Sequence, residues 1–267
     1  MPDVSFENRG GVAVVTFNRP QKKNALTPEM VVRLAEAWTE LRDDDGLRAA
    51  ILTGAGDTFC AGADLGRLIP LLTKARAADD EWDQRLLADP SLFQAAILRR
   101  FELWKPVIAA VNGAALAGGC EILQATDIRL AAPEASFGLP EPTRGIIPGG
   151  GSLVRLARQI PYVRAMHILL TGDPIPARDA LEIGFVNEIV PREQLLERAF
   201  EIAARIAANG PFAVRKIKEV VVRSQGRPLE EAFTIEEECS REVMRSSDAR
   251  EGPRAFMEKR KPNFTGR

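Results

Sequence analysis

Histidine is nearly absent from this 267-residue chain. The single copy, His167, lies in the apolar run Val163–Leu170, so a histidine metal site or a Ser-His-Asp triad would have to be built on it alone. A lone histidine at helical spacing reads as a packed or surface side chain. Cysteine is scarce too. Cys60, Cys120 and Cys239 are odd in number and widely spaced, which excludes a disulfide framework and zinc spacing and points to reduced thiols. Neither sign of charge dominates: 36 Lys and Arg stand against 37 Asp and Glu, a net charge of −1. No global field therefore draws the chain to nucleic acid or an anionic membrane. The longest uncharged stretch near the middle, Pro106–Cys120, is interrupted by Asn112 and three glycines and is too short for a bilayer. The opening residues carry Asp3 and Glu7 and no apolar h-region, so the expectation is no signal peptide and a cytoplasmic location. The sequence also lacks GxxxxGK[ST], a GxGxxG after a strand, and GxSxG. P-loop hydrolysis, Rossmann redox chemistry and nucleophile-elbow hydrolysis each lack their parts.

What is present is an ordinary globular composition, 45% hydrophobic and 27% charged. A folded monomer of this size hides roughly 73% of its unfolded surface, ample for one large core. Residues 12–17, 49–54, 106–111, 127–131 and 135–138 read as strands. Thr27-Pro28-Glu29 opens a helix, with Val31, Leu34, Trp38 and Leu41 on one face. A short helix is expected from about Gly118 to Thr126. Beyond residue 152 the pattern turns helical, with Leu195, Ala199, Ile202 and Ile206 on one face and Pro228 opening a later helix. This order predicts an α/β core followed by a helical region.

Two glycine-rich turns, Phe59–Leu65 and Asn112–Glu121, each follow a strand and lead toward a helix. Small residues there let a ligand approach the backbone, and two free N–H groups aimed at one carbonyl oxygen would make an oxyanion hole. Taken singly, each reads as a tight turn needed for strand–helix packing. Glu121 stands in the first turn of the expected helix, and Glu141 precedes the loop Gly145–Gly151. A carboxylate in an apolar, Gly/Pro-framed setting is where general acid–base work becomes available. Taken singly, Glu121 reads as a helix-dipole partner and Glu141 as a loop surface residue.

Six segments in order resemble the crotonase (enoyl-CoA hydratase/isomerase) superfamily: Asn18–Leu26, Leu52–Leu65, Lys105–Gly113, Gly118–Glu121, Phe137–Glu141 and Gly145–Gly151. The ending Glu251–Arg260 is similar to the family's last helix. The resemblance implies a spiral of ββα units over residues 1–200. It also implies a C-terminal helical trimerisation region over residues 201–267, and a homotrimer or a dimer of trimers. It assigns the oxyanion hole to the Ala63 and Gly118 N–H groups and the acid–base pair to Glu121 and Glu141. Gly149 matches a backbone position beside the reacting carbons. Lys23, Ala25, Ala61, Asp64 and Leu65 match the coenzyme A groove, and Lys259 matches a lysine that approaches the nucleotide phosphates. No metal and no separate cofactor are implied, because coenzyme A enters as the substrate thioester. The expected activity is hydration of a trans-2-enoyl-CoA; double-bond isomerisation and a non-catalytic binding role are the alternatives.

Two departures bear on substrate. Gly66, followed by Arg67, replaces a lysine often found after Ala-Asp-Leu in the family, which would redistribute phosphate contacts. The stretch Gly66–Trp104 is long and supplies Leu68, Leu71, Leu72, Trp82, Leu86, Leu87 and Phe93 either as walls of a large acyl pocket or as a helical cover packed on the core.

Overall fold

The structure is a computed structural model and describes residues 2–267. It starts with an antiparallel hairpin, β1 (Val4–Arg9) and β2 (Val12–Phe17). The chain returns through α1 (Pro28–Asp43), where the Thr27 hydroxyl accepts from the Met30 N–H at 3.2 Å and Pro28 takes the first helical position. Val31, Leu34, Trp38 and Leu41 are all buried, as their spacing predicts.

Three ββα units follow. β3 (Ala49–Gly54) and β4 (Thr58–Cys60) lead into α2 (Leu68–Leu72), α3 (Glu81–Ala88) and α4 (Ser91–Ala96). β5 (Val107–Val111) and β6 (Ala114–Leu116) lead into α5 (Gly118–Leu123). β7 (Ile128–Ala131) and β8 (Ser136–Gly138) lead into a 3-10 turn, Glu141–Arg144, and α6 (Ser152–Gln159). Then come α7 (Tyr162–Thr171), β9 (Ile175–Pro176), α8 (Ala177–Glu182), β10 (Glu188–Ile189) and α9 (Leu195–Ala207). The first strand of each unit joins a sheet of order β1-β2-β3-β5-β7-β10, and the second joins a sheet of order β4-β6-β8-β9. β4, β6 and β8 run parallel as neighbours, so their carboxyl ends lie side by side. This is the spiral of ββα units that the resemblance implied.

The larger sheet is buried on both faces. Ala50, Leu52, Val107, Ala109 and Val111 face the main core, whereas Ile51, Ile108, Ala110 and Leu130 face a second cluster beneath α9. Strands covered on both sides read as continuous apolar runs, which is why they are easy to find in the sequence. The observed strands begin one residue later than expected at Val107, Ile128 and Ser136. α5 stops at Leu123, because the next N–H groups bond three residues back (Ala125 to Ile122, Thr126 to Leu123). The short strands β1, β4, β6, β9 and β10 were not expected.

The expected domain boundary after residue 200 falls inside α9. Leu195, Ala199 and Ala203 are buried in the second cluster, so α9 belongs to the core. The helices that stand apart are α10 (Pro211–Ser224), α11 (Leu229–Arg245) and α12 (Asp248–Met257). In the 66–104 stretch, Leu68, Leu71 and Leu86 are core residues, and the Trp82 ring lies between the Arg33 and Arg85 guanidinium groups at 4.7 and 5.3 Å. Most of this segment is a cover packed on α1. Leu72 and Leu87 are exposed, and Phe93 is half-buried.

Candidate active site

Because β4, β6 and β8 end together, the segments that leave them converge: 61–65, 117–121 and 139–141. Ligands of α/β sheets commonly bind outside the carboxyl ends of parallel strands. Leu26 and Ala63 form an isolated parallel bridge, made by Leu26 N–H to Gly62 O at 2.8 Å and Asp64 N–H to Leu26 O at 2.9 Å. The flanking residues carry both bonds, which turns the Ala63 N–H away from Leu26. Gly118 is the first residue of α5, so its N–H has no partner within the helix. Among the described residues no acceptor is recorded for either N–H.

The two amides are brought close by backbone conformations that most residues avoid. Gly62 has φ +91°, and a Cβ there would lie 2.5 Å from the Ala117 Cβ and 3.0 Å from the Gly118 nitrogen. Ala117 itself has φ 48° and ψ −126°, an unfavourable conformation for a residue with a Cβ. Strain here fixes where the Gly118 N–H points.

Glu121 and Glu141 are both buried, yet their surroundings differ. The Glu121 Oε1 accepts from the Gly150 N–H at 2.7 Å and the Ser152 N–H at 3.3 Å, at the start of α6. Burial pushes its pKa up, partly opposed by these bonds and by the Arg155 charge. A Cβ on Gly150 would sit 2.6 Å from the Glu121 Oε2, so a small residue lets the carboxylate nestle there. Glu141 is carried by the 3-10 turn, and its Oε2 has no hydrogen-bond partner. Burial, with the Glu121 charge acting in the same direction, pushes Glu141 up to about 7. Gly149 is exposed, and its carbonyl accepts from the Arg99 Nη1 at 2.9 Å.

The remaining residues are more scattered. The Lys23 carbonyl accepts from the Ala61 N–H at 3.0 Å, which places 23–25 beside 61–63; Lys23 and Leu65 are exposed, and Ala25 and Ala61 are half-buried. The Asp64 carboxylate is engaged within the protein: it accepts from Arg19 at 2.6 Å and from the Gly66 and Arg67 N–H groups. Burial works to raise its pKa, but those bonds and the Arg19 charge outweigh it and hold it below the ordinary value. Lys259 lies two residues beyond α12 in a left-handed conformation, its N–H bonded to Phe256 O. Arg67 pairs with Asp80 at 2.6 Å and also approaches Asp83. It is thereby committed to an internal acidic cluster. His167 is exposed on α7.

Sequence reasoning gave no role to Asn24, Gly150, Ser152, Gln124 or Arg155. Asn24 is fully buried at φ 53°, and its side chain bonds Arg19 N–H, Ala55 O and Thr58 O, tying the 19–26 turn to the β3–β4 corner. Its tolerance of left-handed φ was the available signal. The others act across the fold, with no local pattern. A cleft of about 1030 Å³ lies between α10 and residues 98–106 and 124–129. It is lined by Gln124 and Arg155 but by neither glutamate nor either amide. Among the described residues no cluster of His, Cys, Asp or Glu is placed to hold a metal ion, and no helix is long and apolar enough to cross a membrane.

A family model described as Enoyl-CoA hydratase/isomerase matches residues 7–267. The chain is 46% identical over 266 residues to the enoyl-CoA hydratase EchA19 of Mycobacterium tuberculosis, covering 100% of this chain and 97% of the relative. It is 38% identical to the short-chain-enoyl-CoA hydratase of Clostridium acetobutylicum, covering 97% and 96%. The crystal structure of enoyl-CoA hydratase EchA1 from Mycobacterium marinum superposes with a TM-score of 0.89 at 38% identity, covering both chains completely. These matches run the full length of the fold and include every segment that builds the site. The chain belongs to the enoyl-CoA hydratase/isomerase family.

Proposed function

We propose that this chain adds water across the double bond of a trans-2-enoyl-CoA to give a 3-hydroxyacyl-CoA, with Glu121 as base and Glu141 as acid. Enoyl-CoA hydration is the activity named for its full-length relatives. The observation that carries the assignment is the inequality of the two buried carboxyls. Glu121 has N–H donors and a nearby arginine that favour its ionised form, whereas Glu141, lacking a partner at Oε2, holds its proton to about 7. Close titratable groups pushed apart in this way make an acid and a base at one pH.

In the proposed step a water proton passes to Glu121 while the water oxygen bonds to C3. The C2–C3 π electrons move toward the thioester, whose oxygen gains charge and is held by the Ala63 and Gly118 N–H groups. Glu141 then gives its proton to C2, and the enolate electrons form that C–H bond. One glutamate has gained a proton and the other has lost one, and solvent exchange resets them. The Gly149 backbone lies beside the reacting carbons. Lys23, Ala25, Ala61, Asp64 and Leu65 form the coenzyme A groove, Asp64 by shaping its loop, and Lys259 meets the nucleotide phosphates. No metal takes part in the proposed step, so exhaustive chelation should leave the rate unchanged.

Subunit association is supported by apolar side chains left outside: Tyr162, Val163 and Leu170 on α7, and Ile217, Phe256 and Met257 on the last helices. Contiguous exposed apolar surface commonly marks an interface. A homotrimer, or a hexamer of two trimers, is the proposed assembly. Acyl size is proposed to extend beyond four carbons, with half-buried Leu92, Phe93 and Leu98 as the wall that the 66–104 segment supplies. Each methylene buried there adds roughly 1 kcal/mol.

One experiment tests these points together: kcat/KM and product analysis across enoyl-CoAs from four carbons upward, with one polycyclic enoyl-CoA, as a function of pH. The expected result is a hydrated product, a maximum above four carbons, and a kcat that falls as pH rises through about 7, where Glu141 loses its proton. A shifted double bond without water uptake would identify an isomerase. No turnover of any enoyl-CoA, with a mobility shift on RNA at physiological salt, would identify a binding protein. A steep fall beyond crotonyl-CoA would show that the 66–104 segment closes the pocket.

A further inference from the structure

Close to Glu121, two polar side chains are enclosed in the protein: Ser152 is fully buried and Gln124 is 2% exposed. The Gln124 Nε2 donates to the Ser152 Oγ at 2.8 Å. Ser152 is the first residue of α6; its N–H donates to the Glu121 Oε1 at 3.3 Å, and its side chain is also near enough to hold the Glu121 pKa down. A serine hydroxyl has one proton to give. With its oxygen occupied by a donor from Gln124, that proton is free for the carboxylate. The Gln124 backbone is itself anchored, since its main-chain carbonyl accepts from the Gln159 Nε2 at 2.8 Å and the Arg129 Nη2 at 3.2 Å, while its side-chain Oε1 has no partner. Nothing in the proposed hydration step uses either side chain.

We propose that Ser152, oriented by Gln124, is a positioning residue that keeps the Glu121 carboxylate ionised and ready to accept a proton from water. The inference rests on the two-glutamate reading above. Other titratable groups are coupled to Glu121: the Arg155 charge on α6 favours its ionised form, Glu141 on the 3-10 turn and the Cys120 thiol on α5 each feel its charge, and Arg144 acts on Glu141. Arg99 lies near Arg155, and Arg129 near Cys120. Cys120 is pushed up to about 12 by burial, and Arg129 is lowered only to about 10, also by burial, so neither changes charge in the acid range. Removing the Ser152 hydroxyl alters this set without altering any formal charge.

The test is the pH dependence of kcat with crotonyl-CoA as probe for the native protein, Ser152→Ala, Gln124→Met and the double variant. Ser152→Ala keeps the backbone N–H and deletes only the hydroxyl. Losing a hydrogen bond to a charged acceptor is expected to move the acid limb up by about one pH unit, with the rate recovering at higher pH. Gln124→Met moves the limb the same way by less, and adds nothing in the Ser152→Ala background. An acid limb that stays in place in Ser152→Ala, including one whose rate is lowered equally at every pH, overturns the proposal. It would mean that the hydroxyl gives its proton to Gln124 or only fills space. Glu121→Gln separates the two readings. If that variant hydrates normally with an unchanged limb, the two-glutamate mechanism fails; if it is inactive while Ser152→Ala leaves the limb fixed, this inference alone fails.

Discussion

Two groups of buried carboxylates in this molecule have been driven in opposite directions. In the 66–104 cover, Asp83 is fully buried and meets the Arg76 guanidinium at 2.5 and 2.8 Å, with Arg67 at 3.8 Å and the Asp79 N–H at 2.9 Å. The Arg76 bonds hold it below the usual carboxylate range. At the proposed active site Glu141 is almost as buried, but its Oε2 meets nothing, and burial lifts it to about 7. Burial is common to both. What differs is whether the protein supplies cations and N–H donors, so one carboxylate staples a segment and the other stores a proton.

The largest effect should come from the site. In the proposed step each glutamate makes one proton transfer, so Glu121→Gln and Glu141→Gln should each lower kcat by roughly 10²–10⁴, measured with saturating enoyl-CoA. Asp83→Asn should leave kcat within a few-fold. Near-normal turnover by either glutamine variant would break the contrast at its catalytic end.

Stability should show the reverse ranking. Asp83→Asn leaves Arg76 without its carboxylate and should cost about 2–3 kcal/mol in denaturant unfolding at neutral pH. The native contribution is present above the unfolded pKa of an aspartate and is lost as pH falls through the lowered folded value. An Asp83→Asn variant as stable as the parent would show that the cover needs no ionic staple.

A smaller effect of opposite sign is expected at Glu141. Its folded pKa lies above the ordinary 4.5, so its contribution is present below the unfolded value and is lost as pH rises through about 7. At pH 8 Glu141→Gln should therefore stabilise the protein by about 2 kcal/mol while destroying activity, and at pH 4 the gain should vanish. The same gain at both pH values would mean that the substitution acts through packing and that Glu141 is not the proton store.

Much of the fold was legible because its strands carry a local signal. Ala49–Gly54 and Val107–Val111 are continuous apolar runs, and α1 has both a Thr-Pro start and a clean apolar face. The short strands β4 and β6 were missed, since three residues give no period to read. At the site, Glu121 and Glu141 were visible as carboxylates in Gly- and Pro-framed turns, but their difference was invisible. It depends on Gly150, Ser152 and Arg155, some 30 residues from Glu121 in sequence and touching or influencing it only through the start of α6.

The sequence by itself determined the α/β class, the small residues at the two turns, the scarcity of histidine and thiol ligands, and the family, because each is a matter of composition, local backbone freedom or an ordered set of short motifs. The tertiary structure alone decided that β4, β6 and β8 end side by side, so that two free amides and two carboxyls share one corner. It also decided that Leu68, Leu71 and Leu86 are core, that Arg67 and Asp64 are spent on internal pairs, and that Glu141 lacks a partner at Oε2. The physical reason is range. Turn conformation and apolar period act between near neighbours, whereas desolvation, ion pairing and hydrogen-bond supply depend on what the rest of the chain brings within a few ångströms.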